Sequence, residues 1–333
     1  MMKVGFLGAG SWGYSLASLL ASKGYQLISW SARPELVKHL TEKREHPYLP
    51  GHTFNGNMKF TTDIKEALQG ADMLVEAVTS AGIRPVFEQV KRLKLPKCPI
   101  VITSKGIEQN TGLILPDIVV EVLGRDTRKQ VAFLSGPSFA QDVIRKLPTS
   151  VVGSAYDPEV MRLVTDTFTT HTFRVYPNPD IHGVAYGGAL KNIIAIACGM
   201  AEGLELGHSA KAALMTRGLH EIRKLAVARG CRAETLNGLS GMGDLCLTCS
   251  SLMSRNFRFG YLLAQGLSPQ EAAVKIEMVV EGAYTCVSTL QLSHQLNVSM
   301  PITEIVYKII YESLAPQEAV KALMQRTIKE EHL

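Results

Sequence analysis

The chain has 333 residues, 46% of them hydrophobic and 20% charged, which exceeds the usual length of one domain and excludes a disordered or low-complexity chain. A formal net charge of +5 is scattered through the sequence instead of forming a basic run. A nucleic-acid partner is therefore not expected, and a mild positive excess suits an anionic substrate equally well.

Short apolar runs at 3–7, 25–30, 72–78, 99–103, 131–135 and 150–153 read as buried strands, several closing on Gly, Ser or Thr. Between the early runs, 15–23 and 34–43 have helical spacing. This alternation is the βαβ rhythm of a parallel sheet with helices on both faces, so the first half is α/β. Beyond about residue 185 the short runs give way to long apolar-periodic stretches at 186–206, 210–229, 268–275 and 287–297. The second half is mainly helical, with a boundary expected near 183–188.

Lys3 and the apolar stretch 4–21 resemble a secretory signal in outline, but three glycines at fixed spacing within it argue for a folded turn. Stretch 184–206 is the best membrane candidate, and Lys191 and Glu202 interrupt it short of the roughly 18 uncharged residues a span needs. No membrane anchor is expected. Six cysteines at irregular spacing suit a reducing, cytoplasmic setting, and Cys246 with Cys249 forms a C-x-x-C lacking the second pair of a zinc ribbon. No metal is expected.

Gly8-Ala9-Gly10-Ser11-Trp12-Gly13 follows the first strand and opens the first helical pattern. In that context Gly8 permits a tight turn, Gly10 lets the backbone approach a pyrophosphate, and Gly13 lets helix and strand pack closely, with the helix N-terminus facing the phosphates. The motif predicts a bound dinucleotide. After the second strand comes Ser31-Ala32-Arg33 instead of an acid that would hold the adenine ribose hydroxyls, so NADP is favoured over NAD, although an arginine after a strand is also a common surface feature.

In the second half, Gly187-Gly188-Ala189-Leu190-Lys191-Asn192 begins a helix that is apolar nearly all round. Burying the Lys191 ammonium requires a partner, which an anionic substrate would supply, and desolvation would suit a general base. Snorkelling to the surface is the alternative. Arg255 offers a planar fork of donors to a phosphate between Ser254 and Asn256, which equally describes a capped helix with an exposed arginine. Gly241-Met242-Gly243-Asp244 reads as a site loop or as a plain turn. Ser104-Lys105-Gly106 follows a strand, on the side where parallel sheets bind ligands, yet a loop lysine is also commonly just solvated.

Together with Ser135-Gly136-Pro137-Ser138-Phe139-Ala140 and Val280-Glu281-Gly282, these motifs occur in order along nearly the whole chain, which resembles the bacterial NAD(P)-dependent glycerol-3-phosphate dehydrogenases. That family interconverts sn-glycerol 3-phosphate and dihydroxyacetone phosphate. The resemblance implies a Rossmann-type dinucleotide-binding domain over 1–186, an all-helical domain over 187–333, and a homodimer in the pathway that supplies the phospholipid backbone. It implies that Lys191 is the proton acceptor and that Lys105, Gly136, Ser138, Lys191, Asp244, Ser254, Arg255 and Asn256 bind substrate. It further implies that Ser11, Trp12, Arg33, Lys105, Ala140, Arg255, Val279 and Glu281 join the three glycines at NADPH or NADH. The rivals are another two-domain dehydrogenase of hydroxy acids or sugar phosphates, and a redox sensor that binds NAD(P)H without turnover.

Overall fold

The computed structural model describes residues 1–54, 56–93, 97–328, 330 and 331. The chain divides into two compact units, Met1–Lys105 with Leu115–Ile181, and Gly106–Ile114 with His182–Leu333. This division differs from units of 1–186 and 187–333 at the 181/182 break and in the segment Gly106–Ile114. That segment is bound to one helix of its own unit in both directions: Ser288 Oγ of the helix donates to the Ile107 carbonyl at 2.8 Å, and Gln109 Nε2 of the segment donates to the Tyr284 carbonyl at 3.0 Å.

The first unit is built on strands β1 (Lys3–Leu7), β2 (Gln26–Trp30), β3 (Met58–Thr61), β4 (Met73–Glu76), β5 (Ile100–Ile102), β6 (Val131–Ser135), β7 (Thr149–Ala155) and β8 (Phe173–Pro177), in the order 3-2-1-4-5-6-7-8. Its helices are α1 (Ser11–Ser22), α2 (Pro34–Lys43), α3 (Ile64–Leu68), α4 (Ile83–Arg92), α5 (Leu115–Leu123), α6 (Ala140–Ile144) and α7 (Pro158–Phe168). Val4, Phe6, Leu16, Leu20, Val101, Leu134, Phe168 and Phe173 form one buried cluster that joins the sheet to α1 and α7. Strands buried on both faces are apolar at most positions, which is why β1, β4, β5 and β6 stand out as apolar runs, with polar residues only at their ends. At the centre β1 pairs with both β2 and β4, so the chain order reverses beside β1. Ligands of open α/β sheets bind at such a switch point.

Three strands depart from the sequence expectation. The edge strands β3 and β8 have no apolar run; β8 alternates, with Phe173 and Val175 buried and Arg174 and Tyr176 exposed. Edges face water on more sides and keep polar residues. The sheet is also not wholly parallel, because β7 runs antiparallel to β6. The link between them, 136–148, holds only the five-residue α6 and not the longer helix usual in a parallel crossover.

The second unit contains α8 (Ile181–Gly203), α9 (Gly207–Ala228), α10 (Ala233–Leu236), α11 (Asp244–Cys249), α12 (Arg255–Ala264), α13 (Pro269–Ile276), α14 (Glu281–Gln295), α15 (Pro301–Tyr311) and α16 (Pro316–Met324), with a π-turn at Leu239–Gly243 before α11. Despite Lys191 and Glu202, α8 is long and apolar enough to cross a membrane, with a mean hydropathy of 1.4, but that window is wholly buried inside the protein. Neighbouring helices take the place of lipid. Missing side chains set their spacing: a Cβ on Gly199 of α8 would lie 1.9 Å from the Phe257 carbonyl of α12, and one on Gly260 would lie 2.0 Å from the Ile196 carbonyl of α8. The two backbones therefore touch. Across the unit, Glu221 of α9, 3% exposed, accepts the backbone N–H groups of Ile302 at 2.7 Å and Thr303 at 3.2 Å. A buried carboxylate thus serves the first turn of α15, where helical donors have no partner of their own.

Candidate active site

In the first unit, the glycine turn has the form the sequence predicts. Gly8 has φ +117°, in the left-handed region, and a Cβ there would lie 2.5 Å from the Ala77 carbonyl. At Gly13 a Cβ would lie 2.3 Å from the Gly8 carbonyl, so strand, turn and helix close on one another only without side chains. Gly10 is different. Nothing lies within 4 Å of a Cβ placed there, and as the N-cap of α1 it makes no side-chain cap, which leaves the first-turn N–H groups to a ligand. Open space over uncapped donors fits a pyrophosphate.

Other expected cofactor residues lie around this turn. Ser11 is the first residue of α1 and Trp12 packs, half-buried, on the core cluster. The buried Ser15 hydroxyl is within hydrogen-bond distance of the carbonyls of Ser11 at 2.9 Å and Ala140 at 3.0 Å, which ties Ala140 to the same helix end. Arg33 is exposed at the N-cap of α2, just past the end of β2. Its neighbour His46 is buried and held down to about 4, by burial first and the Arg33 charge second.

Lys105, Gly136 and Ser138 meet at one atom: the Gly136 carbonyl accepts from Lys105 Nζ at 3.3 Å and from Ser138 Oγ at 3.0 Å. Gly136 has φ +154° and packs against Val151, where a Cβ would lie 2.8 Å from the Val151 Cα. The backbone bend there is reserved for glycine.

In the second unit, the Lys191 ammonium is buried and donates to Asp244 Oδ1 and, at 2.7 Å, to Thr248 Oγ1. The Thr248 hydroxyl in turn donates a hydrogen bond to the Asp244 carbonyl at 2.6 Å, one turn back on α11. Lys191 therefore does not snorkel, and a carboxylate within the fold accompanies the desolvation expected of it. The elements that bring the two together are constrained by glycine. A Cβ on Gly187 of α8 would lie 2.6 Å from the Ser240 carbonyl, and one on Gly241 would lie 2.0 Å from the Leu236 carbonyl.

The Ser-Arg-Asn segment opens α12. Ser254 caps the helix, accepting from the Phe257 N–H at 3.2 Å, and buried Asn256 accepts the Gly282 N–H at 2.8 Å. A Cβ on Gly282 would lie 2.6 Å from the Asn192 carbonyl, so the segments 189–192, 254–256 and 280–282 interlock. Arg255 starts this helix half-buried; burial pulls its guanidinium below the usual value, and the Glu281 carboxylate opposes that pull. Val279 is 48% exposed just before α14, and Glu281 is that helix's first residue. Among the described residues no group of three or more His, Cys, Asp or Glu is placed to hold a metal.

Thr248, Ser15 and Asn192 were not among the sequence-predicted residues. Thr248 and Ser15 share a signal, each lying four residues after a partner on the same helix face. The role of Asn192 belongs to its backbone carbonyl, for which a sequence has no code.

A sheet with its glycine turn at the switch point, together with a helical unit carrying a buried lysine–aspartate pair, defines a dinucleotide-dependent dehydrogenase. Residues 3–161 match the family model for the NAD-dependent glycerol-3-phosphate dehydrogenase N-terminus, and residues 180–321 match that for its C-terminus. A Glycerol-3-phosphate dehydrogenase [NAD(P)+] of Protochlamydia amoebophila is 68% identical over the whole of both chains, and one of Chlamydia pneumoniae is 56% identical over 99% of each. A crystal structure of glycerol-3-phosphate dehydrogenase from Coxiella burnetii superposes with a TM-score of 0.93 at 37% identity, over 98% of this chain and 99% of that one. The chain belongs to the NAD-dependent glycerol-3-phosphate dehydrogenase family and is an NAD(P)-dependent oxidoreductase.

Proposed function

We propose that the chain interconverts sn-glycerol 3-phosphate and dihydroxyacetone phosphate, with Lys191 exchanging the proton on the substrate's C2 oxygen. The buried Lys191–Asp244–Thr248 cluster carries this reading, because it fixes an ammonium in a water-poor setting without consuming it in a surface ion pair. When bound, the nicotinamide supplies hydride to C2 or takes it away. Lys191 donates a proton to the ketone oxygen as it becomes an alcohol and accepts it in the other direction. Asp244 and Thr248 orient the ammonium throughout.

Arg255 supplies the fork for the substrate phosphate, and Lys105, Gly136, Ser138, Ser254 and Asn256 line the substrate with it. The glycine turn receives the pyrophosphate, with Ser11, Trp12, Lys105, Ala140, Arg255, Val279 and Glu281 as further cofactor residues, and Arg33 favours NADPH through its 2′-phosphate. The first unit is read as the dinucleotide-binding part and the second as the catalytic part. The working form is a cytoplasmic homodimer that feeds phospholipid synthesis.

The test is loss of NADPH or NADH absorbance when dihydroxyacetone phosphate is added. Wild type turns over, faster with NADPH, while Lys191→Ala loses about 10²- to 10⁴-fold in kcat, the range for a missing general acid–base. Near-normal turnover in a folded, NADPH-binding Lys191→Ala protein removes the proton role. Cofactor binding without any oxidation favours the sensor reading instead.

A further inference from the structure

The carboxyl of Glu76 has no part in the steps above. It ends β4 with no solvent exposure, in register with Leu7 of β1 and Ile102 of β5. Besides Glu76 itself, the one charged residue on β1, β4 and β5 is Lys3, at the opposite end of β1 from Leu7, so nothing titratable lies beside Glu76 in the register of these strands. Lys105, one residue beyond Ser104, donates to the Gly136 carbonyl. What surrounds Glu76 is hydroxyl and N–H: the Val78 N–H donates to Oε1 at 2.6 Å, Ser104 Oγ lies 2.8 Å from that same oxygen, and the Ser104 N–H is 3.4 Å from Oε2.

Ser104 Oγ also reaches the Val78 carbonyl. A hydroxyl has a single proton, so an ionised Glu76 leaves two acceptors competing for it. A neutral Glu76 removes the conflict. The acid donates to Ser104 Oγ, Ser104 donates to the Val78 carbonyl, and the Val78 N–H donates to Glu76, closing a ring in which every donor has an acceptor. Burial acts in the same direction, pushing the carboxyl up to about 7.

Both neighbours of this ring belong to the candidate site. Ala77 follows Glu76 and forms the floor under Gly8 and Gly13, while Lys105 follows Ser104. We propose that Glu76 is a positioning residue which, as a neutral acid, locks the ends of β4 and β5 together and so sets both the floor of the glycine turn and the direction of Lys105. It touches neither ligand. Its action on Lys105 rests on the ligand-binding reading of that residue; its action on the glycine turn does not. Ionisation breaks the ring and places a negative charge beneath the pyrophosphate, so NADPH affinity falls as pH rises through neutrality.

The experiment measures the NADPH dissociation constant from about pH 6 to about pH 8.5, with KM and kcat for dihydroxyacetone phosphate, in wild type, Glu76→Gln, Glu76→Leu and Lys105→Ala, each checked for folding by circular dichroism. Glutamine stays uncharged at every pH; with its amide oxygen in the place of Oε1 it accepts from the Val78 N–H, but at that atom it lacks the proton the acid gives Ser104. Leucine is expected to weaken NADPH binding and raise KM about tenfold, the equivalent of one lost hydrogen bond, with a smaller change in kcat. Glutamine, which keeps the Val78 hydrogen bond and cannot ionise, is expected to recover part of the leucine loss and to flatten the pH dependence. Wild-type NADPH affinity in the leucine variant overturns the proposal, as does a glutamine variant that keeps the wild-type pH dependence. If leucine prevents folding, the glutamine pH profile decides. A normal KM in Lys105→Ala removes the Lys105 reading, and NADPH binding by the Glu76 variants then judges the proposal.

Discussion

Replacing Asp244 by alanine takes the carboxylate away from the Lys191 ammonium while leaving the Thr248 hydroxyl 2.7 Å from it. The two side chains are 8% and 1% exposed, so bulk water neither screens the pair nor can replace the missing partner. Removing one member of such a pair costs about 3–5 kcal/mol, several times the worth of a surface ion pair. Lys191→Met strands Asp244 in the same way, whereas the double variant strands neither. The single losses should therefore exceed the double loss by about 2–3 kcal/mol in a double-mutant cycle. Urea unfolding reads this with an internal control. The chain's two tryptophans, Trp12 and Trp30, both lie in the first unit, so their fluorescence follows that unit while far-UV circular dichroism also follows the helical one. The circular dichroism transition should shift while fluorescence moves far less. Single-variant losses that add to within about 0.5 kcal/mol would refute the reasoning, because residues that do not interact behave that way.

Gly10→Ala and Gly13→Ala should separate ligand space from packing space. Alanine at Gly10 meets nothing, so stability should change by less than about 1 kcal/mol while NADPH affinity drops, whereas at Gly13 the 2.3 Å contact should cost about 1–3 kcal/mol in thermal or urea melts. Glu221 gives a pH signature. Its carboxyl is raised from 4.5 to about 7 mainly by burial, so between those values the folded state holds more protons and stability falls as pH rises. Glu221→Gln should abolish this contribution of about 3 kcal/mol, visible as a flatter plot of unfolding free energy against pH, and an unchanged slope would count against it. Arg33→Ala should raise KM for NADPH far more than KM for NADH in steady-state kinetics, and equal changes would leave Arg33 as an ordinary surface residue.

Backbone-dictated features were the most legible in the sequence. Gly8 and Gly13 occupy places no side chain can, and their spacing between a strand and a helical pattern is what predicts the turn; α8 is visible because a helix packed on all sides is apolar on all sides. Lys191 could be singled out as a charge in that helix, but its partner Asp244 lies 53 residues away in a segment equally readable as a plain turn. The Ser-Arg-Asn segment stayed ambiguous for a physical reason, since a serine before a helix looks the same whether it caps or binds, and in the structure Ser254 caps. The edge strand β3, the reversal of β7 and the ring around Glu76 depend on pairing and three-dimensional neighbours, which leave no periodic mark along the chain, and the alternation of β8 spans only Phe173 to Tyr176.

The reciprocal contact of Gly199 and Gly260 makes two absent methyl groups into a ruler. The helix bearing Lys191 and the helix begun by Arg255 are held at a pitch that neither can relax without a side chain wedging into the other's backbone. On the proposed reading, that pitch is the span offered between the reacting carbon and the phosphate of the substrate. Tolerance for a longer or shorter phosphorylated ketone would thus be written where no ligand reaches, and alanine at either position is the smallest change that alters the gauge.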